Sequence, residues 1–130
     1  MKPCEDGSSI DIFKISNDED YKKAKLNCLN LEREFIFEES IEGREFTVTI
    51  IGNKCYPVIE IKTQNDFYDY DAKYISDDTI LDQAKLSDNE LNIINDIALR
   101  TFHALKCSGW ARVDIIQDIN GNFNVIEINT

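Results

Sequence analysis

The chain has 130 residues, 42% hydrophobic and 30% charged, which is enough for one domain, or part of one, with a real core. Its formal net charge of −11, from 14 basic and 25 acidic side chains, disfavours nucleic acid or an anionic membrane as a partner. A nucleotide is still compatible, because it needs only a local basic pocket and a metal. The sequence shows no signal segment and no apolar run of about 20 residues, which favours a cytoplasmic location.

The four cysteines show no C-x-x-C spacing and accompany no histidine cluster. This pattern favours reduced thiols over a zinc site or a disulfide framework. The cysteines are Cys4, Cys28, Cys55 and Cys107.

The opening residues 1–9 predict a polar loop. Within it, Gly7-Ser8-Ser9 can offer backbone N–H groups and two hydroxyls to an anion, with Lys2 supplying charge, although a plain surface turn is the commoner use of such a stretch. Residues 10–13 then predict a short strand. A helix is predicted over Asn17–Asn30, because Asn17 can cap it and three acids occupy its first turn.

Three strands are predicted next, over residues 34–38, 47–51 and 56–61. Gly52-Asn53 turns the chain between the second and third strands, which form a hairpin. Pro57 cannot donate to the ladder, so the third strand is expected to begin near an edge or at a bulge.

Residues 62–81 lose all periodicity, yet they contain Phe67, Tyr68, Tyr70 and Tyr74. Long aperiodic loops are usually functional lids or disordered segments, and the aromatic residues argue against simple disorder. Lys73 lies among four aspartates, where it can reach a phosphate or merely balance its neighbours.

Ser87-Asp88-Asn89-Glu90 is a capping box that begins the clearest helix. Apolar residues recur along it at helical spacing and form its predicted buried face. That face consists of Leu91, Ile94, Ile97, Ala98, Phe102 and Leu105. His103, the single histidine, is interpreted as structural.

The last predicted element is a hairpin formed by residues 109–116 and 123–130 around Asn120-Gly121, a pair that accepts a type I′ turn. Alternation places Arg112 and Asp114 on one face of the first strand. It likewise places Glu127 and Asn129 on one face of the second strand. If Asn120 and Gly121 are the two turn residues, Asp114 lies opposite Glu127 and Arg112 opposite Asn129.

Two carboxylates facing each other across a strand pair repel unless a cation lies between them. Mg²⁺ prefers such a site, completed by phosphate oxygens. Arg112 would then suit a phosphate, and Asn129 offers another oxygen ligand. A slip of one residue in the turn would spoil the pairing, and a solvent-facing polar side of an edge hairpin is the alternative. Hairpins and helices in this order predict an α+β domain, an antiparallel sheet with helices on one face.

In order, these segments resemble the ATP-grasp domain of D-alanine–D-alanine ligases, over nearly the whole chain. The tyrosine-rich loop followed by Ala-Lys-Tyr is the most specific motif, since all ATP-grasp enzymes share the metal hairpin. The matching stretches are Lys2-Pro3 with Gly7-Ser8-Ser9, Phe37-Glu38-Glu39, Glu42 to Val48, Pro57 to Ile61, Phe67 to Tyr74, Gly109 to Asp114, and Glu127 to Thr130.

The resemblance implies a set of nucleotide contacts. Lys2 and Lys73 would hold ATP phosphates. A hinge would read adenine through its backbone groups, and Glu45 would bind the ribose hydroxyls. The hinge residues are Glu38, Glu39, Ser40 and Ile41.

The resemblance also implies catalytic and metal positions. Ser8 and Ser9 would close over the transferred phosphoryl group, and Tyr74 would order the lid near them. Arg112 would steady the intermediate. Two Mg²⁺ ions, which Mn²⁺ can replace, would be bound by Asp114, Glu127 and Asn129.

By this resemblance the chain is the Mg-ATP-binding part of an ADP-forming ligase. ATP phosphorylates the carboxylate of one D-alanine, and the amine of a second attacks the acylphosphate. The dipeptide enters peptidoglycan, and full-length members are homodimers.

The chain departs from the family pattern at several points. These departures predict a partial ATP-grasp domain over residues 1–130, incomplete at both ends. The N-terminal substrate domain and the Pro-Gly-containing loop expected after Asn129-Thr130 are absent from it. Asp11 replaces a glycine that usually continues the serine loop, and a Cys-Pro element is missing around residues 80–85.

Two alternatives remain open. One is a catalytically incompetent ATP-grasp fragment that binds nucleotide or a partner. The other is a different ATP-grasp carboxylate–amine ligase, which amino-acid substrate profiling would distinguish.

Overall fold

A computed structural model describes residues 1–4, 11–28, 33–62 and 79–130. The chain divides into two compact units: Met1–Ser40 with Thr63–Asp78, and Ile41–Lys62 with Thr79–Thr130. Among the described residues, no helix is long and apolar enough to cross a membrane. The predicted Ser8-Ser9 loop, most of the tyrosine-rich loop, Lys73 and Tyr74 lie outside the described residues.

The first unit contains strands β1 (Lys2–Pro3) and β2 (Phe35–Ile36), which pair antiparallel, and helix α1 (Asp18–Cys28). The predicted cap is confirmed, because the Asn17 side chain accepts hydrogen bonds from the backbone N–H groups of Glu19 and Asp20, at 2.9 and 3.0 Å. Ala24 is the one fully buried hydrophobic side chain of α1. The short strand predicted over residues 10–13 is wrong for its described part, residues 11–13, which carry no strand.

The second unit is built on a six-stranded antiparallel sheet in the order β6-β5-β3-β7-β8, with β4 paired to β3. Helix α2 packs on one face of this sheet. The elements are β3 (Gly43–Ile51), β4 (Lys54–Cys55), β5 (Ile59–Lys62), β6 (Ile80–Gln83), α2 (Asp88–Ala104), β7 (Trp110–Asp118) and β8 (Phe123–Asn129). The predicted α+β class is confirmed.

The core lies between α2 and the sheet. Alternation along β3 and β7 sends every second side chain into it. The buried hydrophobic cluster consists of Phe46, Val48, Ile50, Val58, Ile94, Ala98, Phe102, Ala111, Val113 and Ile115. The intervening residues of β3 and β7, from Glu45 to Thr49 and from Arg112 to Ile116, lie on the opposite face, here called the open face.

Several predicted boundaries differ from the structure. Strand β3 begins at Gly43 rather than at residue 47, because Glu45, Phe46 and Thr47 pair with both β5 and β7. The strand predicted over residues 56–61 begins only at Ile59, as β5, because residues 56–58, around Pro57, carry no strand. The short strand β4 precedes the predicted range. Strand β6 was missed, because its four residues show no alternation of burial.

Helix α2 has the predicted capping box: the Ser87 side chain accepts from the Glu90 backbone, and the Glu90 side chain from the Ser87 backbone. Its buried face is confirmed for Ile94, Ala98 and Phe102. Leu105 is an error in the prediction, since it lies at the C-cap and is 60% exposed.

Candidate metal and nucleotide site

The closing hairpin places Asp114 opposite Glu127 and Arg112 opposite Asn129, as the alternation predicts. The route to this pairing differs from the prediction. The loop has three residues, 119–121, since Gln117 pairs with Phe123 and the Asp118 N–H donates to the Asn122 carbonyl at 2.9 Å.

The predicted type I′ turn is therefore wrong. A type I′ turn needs a positive φ at both central residues, but of these two only Gly121 has one, at +86°, and Asn120 does not. This one-residue slip is cancelled by an irregularity between Asp114 and Ile115, where Ile126 is the extra residue on β8. The bulge returns Glu127 to the position opposite Asp114.

The Asp114 carboxylate accepts four hydrogen bonds. Arg112 donates two of them, from Nε to Oδ1 and from Nη2 to Oδ2, both at 3.0 Å. Thr47 Oγ1 donates to Oδ1 at 2.7 Å, and Asn129 Nδ2 donates to Oδ2 at 3.2 Å. The Asp114 side chain is 15% exposed and that of Arg112 46%. A bidentate guanidinium thus neutralises the carboxylate that is the predicted metal ligand.

The donor set suits a hard divalent cation. Asp114, Glu127 and Asn129 supply two carboxylates and one amide, the oxygen ligands that Mg²⁺ accepts. Among the described residues, no three His, Cys, Asp or Glu side chains are grouped so that they could hold a metal ion, so these two carboxylates would share the metal with the amide and non-protein oxygens. Because Asn129 now turns its NH₂ toward Asp114, binding a metal through its oxygen requires a rotation of the amide.

Glu45 lies on the open face of β3, opposite Ile116 of β7. Ile116 follows Asp114 by two residues, so the predicted ribose ligand and the predicted metal ligands share one face of one sheet. Of the predicted site residues in the second unit, Ile41 precedes β3 and is half-buried.

In the first unit, Lys2 lies on β1 and its Nζ is 2.7 Å from Glu38 Oε2. Pairing of Lys2 with Ile36 brings the lysine beside the segment that follows β2. A phosphate bound by Lys2 would compete with the Glu38 carboxylate. Glu39 and Ser40 are exposed.

Asp11 has a φ of +57°, the left-handed conformation that glycine adopts most easily. This matches the glycine expected at that position. The Asp11 carboxylate lies 2.9 Å from Arg33 Nη2, so its charge is partnered.

Sequence reasoning missed Thr47. Its hydroxyl reaches Asp114 only because β3 and β7 pair with Thr47 opposite Asp114, a contact across 67 residues. In the observed β3, Thr47 shares a face with Glu45, but no sequence signal specified its partner strand.

A polar network on the helix side of the sheet was also missed. Arg44 donates to Glu60 at 2.9 Å and to Gln117 at 3.4 Å, and Gln117 donates to Glu90 at 3.1 Å. The hydrogen bond from Arg44 lowers the pKa of Glu60, a residue only 8% exposed. Three strands and α2 are thereby connected through paired polar groups. The signal that could have revealed it is a glutamine at a buried position of alternation, after Val113 and Ile115 on β7.

All four cysteines are free, as predicted. Burial raises the pKa of the Cys55 thiol, which makes it a poor nucleophile. The exposed His103 packs edge-on against Phe102 in the last turn of α2, with ring centroids 5.6 Å apart.

The antiparallel sheet with α2 on one face and the facing carboxylates on the other defines an ATP-grasp fold. The chain belongs to the family described as D-ala D-ala ligase C-terminus, whose model matches residues 1–130. It is 40% identical over 131 residues to a D-alanine–D-alanine ligase of Pseudoalteromonas translucida, covering 100% of this chain and 43% of that protein. The chain thus spans less than half the length of the curated relatives it matches.

Comparison with solved structures supports the same family membership. The D-alanine–D-alanine ligase of Bacillus anthracis superposes with a TM-score of 0.83 at 32% identity, over 99% of this chain and 42% of that chain. Its complex with ATP gives 0.73 at 27% identity, over 88% and 36%. A D-Ala:D-Ser ligase of Enterococcus faecalis gives 0.81 at 30% identity, over 99% and 39%.

Proposed function

We propose that this chain is the Mg-ATP-binding part of an ATP-dependent, ADP-forming D-alanine–D-alanine ligase that supplies the dipeptide for peptidoglycan. The observation that carries the proposal is the Asp114–Glu127 pair, flanked by Arg112 and Asn129 on the open face. Family membership over the whole chain supports it. The proposal also includes a cytoplasmic location and D-alanine as a substrate beside ATP. It further includes a homodimeric state for the full-length members.

The proposal assigns one role to each predicted site residue. Lys2 and Lys73 bind the phosphates, backbone groups of residues 38–41 bind adenine, and Glu45 binds the ribose. Ser8, Ser9 and Tyr74 cover the transferred group.

Asp114, Glu127 and Asn129 would hold two Mg²⁺ ions, which would offset the charge that builds on the phosphoryl oxygens. Arg112 would contribute a positive charge beside them and steady the intermediate. Its guanidinium is bound to Asp114 in this structure, so it would have to turn from the carboxylate to reach a substrate oxyanion.

The test is a calorimetric titration of ATP into the chain, with Mg²⁺ and with EDTA, repeated on Asp114→Asn. Saturable binding that needs Mg²⁺ and is weakened by the substitution supports the proposal. Asp96→Asn is the matched control, because Asp96 is exposed on α2 and pairs with Arg100 at 3.5 Å. Equal binding by Asp114→Asn and the unchanged chain contradicts the metal assignment.

Turnover separates the alternatives. ADP formation that depends on D-alanine identifies the ligase. Nucleotide binding without turnover favours a catalytically incompetent fragment. Turnover with D-serine as the preferred acceptor favours a different ligase, a candidate with a specific basis because a D-Ala:D-Ser ligase shares the fold.

A further inference from the structure

We propose that Thr47 is a positioning residue that holds the Asp114 carboxylate in place for the cation, an inference that rests on the proposed metal role of Asp114. Thr47 Oγ1 lies 2.7 Å from Asp114 Oδ1, a short contact typical of a hydroxyl donating to an ionised carboxylate. Neither the family motifs nor the alternation of the closing hairpin assigns a role to this hydroxyl.

Thr47 is rigidly held. It lies in the middle of β3, between Phe46, 1% exposed, and Val48, fully buried. It pairs with Ile59 of β5 on one side and with Asp114 of β7 on the other. A β-branched side chain in a strand has a restricted χ1, so its hydroxyl keeps one direction.

The other donors to Asp114 have different tasks in the proposed reaction. Arg112 is required by the substrate oxyanion, and the Asn129 amide must rotate to offer its oxygen to the metal. The Thr47 hydroxyl has no such second task and carries no charge. It therefore orients Asp114 without opposing a divalent cation, whereas a guanidinium in its place would repel one. Hydrogen-bond partners behind a metal ligand commonly contribute about 10- to 100-fold in metal affinity.

The experiment compares Thr47→Val, Thr47→Ser and Thr49→Val. Valine keeps the branched shape and removes the hydroxyl, and serine restores the hydroxyl. Thr49 is the matched control, since it lies one pair further along the same face, opposite Arg112. Among the described residues, no hydrogen bond of the Thr49 hydroxyl is seen.

The readout is the gain in ATP affinity that Mg²⁺ produces, measured calorimetrically as the ratio of the dissociation constants in EDTA and in Mg²⁺. Thr47→Val is expected to reduce this gain by about 10-fold or more, with ATP binding in EDTA unchanged. Thr47→Ser and Thr49→Val are expected to keep the gain. A merely structural defect would instead weaken binding under both conditions.

Two results overturn the inference and leave the proposed function intact. In the first, Thr47→Val keeps the full Mg²⁺ gain while Asp114→Asn loses it. In the second, Thr47→Ser fails to restore the gain, or Thr49→Val loses as much as Thr47→Val, so that the hydroxyl is not the cause. If Asp114→Asn itself retains the gain, the metal assignment fails and the inference fails with it. Thermal unfolding of each variant verifies that it is folded, and Thr47→Ala, which also removes the hydroxyl, replaces Thr47→Val should that variant unfold.

Discussion

At the scale of single residues, the central feature is a carboxylate with two competing cations. Asp114 is bound by the Arg112 guanidinium through both oxygens, each at 3.0 Å. A divalent cation seeks the same negative charge. Arg112 therefore stabilises the metal-free arrangement and opposes metal entry, even though it is proposed to assist the loaded site.

Arg112→Ala is accordingly expected to tighten the binding of Mn²⁺ alone, in the absence of ATP. The expected change is about five-fold, equivalent to about 1 kcal/mol, the upper range for a partly exposed ion pair. The bound fraction can be followed by electron paramagnetic resonance of free Mn²⁺. D-Alanine-dependent turnover, in contrast, should fall.

Arg100→Ala, on the exposed surface of α2, is the control and should leave Mn²⁺ binding unaltered. Equal or weaker Mn²⁺ binding by Arg112→Ala would show that the guanidinium does not compete with the metal.

Residue-level prediction succeeded where the contact is local. Arg112, Asp114, Glu127 and Asn129 lie within 18 residues, so alternation gives the shared face within each strand and only the register of one short hairpin is left to specify. Thr47 could not be found in this way, because its contact depends on which distant strand pairs with β7 and in what register. The prediction was limited by unknown strand pairing and not by strand propensity.

At the scale of elements, the hairpin shows two local features compensating each other. The three-residue loop moves β8 by one position, and the bulge at Ile126 moves it back. Propensity predicted a turn at Asn120-Gly121 but not its length, and a bulge leaves no clear mark in an apolar run such as Val125-Ile126. The pairing of Asp114 with Glu127 was thus predicted correctly from an incorrect turn.

Gly43 shows how closely β3 and β7 approach. A Cβ built on Gly43 would overlap the Gln117 carbonyl oxygen, a backbone atom that no side-chain rotation can remove. Gly43→Ala is expected to lower the free energy of unfolding by about 1–3 kcal/mol or more, because the strand ends must separate. Urea denaturation measures this change.

Gly52→Ala is the comparison, since Gly52 has a positive φ of +62° but open space around its Cβ position. It should cost less than Gly43→Ala. An equal or larger cost for Gly52→Ala would show that β3 and β7 can yield at the contact.

The capping box of α2 predicts a dependence of stability on pH. Hydrogen bonds from the Ser87 hydroxyl, the Ser87 backbone and Gln117 lower the pKa of Glu90 from its ordinary 4.5 to about 2. The unfolded chain thus takes up this proton at a higher pH than the folded chain. The stabilisation is complete above pH 4.5 and is lost as the pH falls from there toward about 2.

Glu90→Gln should therefore be less stable than the unchanged chain at pH 7, with the difference shrinking below pH 4.5. Thermal unfolding at a series of pH values measures it. Ser87→Ala removes the hydroxyl donor and should reduce the same pH dependence. A difference that stays constant down to pH 2 would show that the capping interaction does not favour the ionised carboxylate.

At the scale of the whole molecule, the fold class followed from the order of elements, but the division into two units did not. Hydrophobic periodicity marks helices and strands equally well in either unit. It does not show that the ten-residue buried cluster belongs entirely to the second unit. The open-face residues Glu45, Arg112, Asp114, Glu127 and Asn129 stand on that core, whereas Lys2 and Glu38 stand on the unit with less burial among its described residues.

This difference predicts unequal local stability, which hydrogen exchange can measure. Helices α1 and α2 are the natural comparison: α1 buries only Ala24, whereas α2 buries Ile94, Ala98 and Phe102. Amides of α1 are expected to exchange through local opening at a free energy well below that of global unfolding. Amides of α2, β3 and β7 should approach the global value. Protection of α1 equal to that of β7 would contradict this reasoning.

Repeating the exchange with Mg-ATP connects stability to the proposed function. Binding of adenine by backbone groups of residues 38–41 would slow exchange in peptides that cover this segment, because each bound N–H must be released before it exchanges. Strand β7 should change little, since its amides are already protected by the sheet. Slowing confined to β7 and β8, with none at residues 38–41, would be compatible with the proposed metal site. It would refute the assignment of adenine binding to residues 38–41.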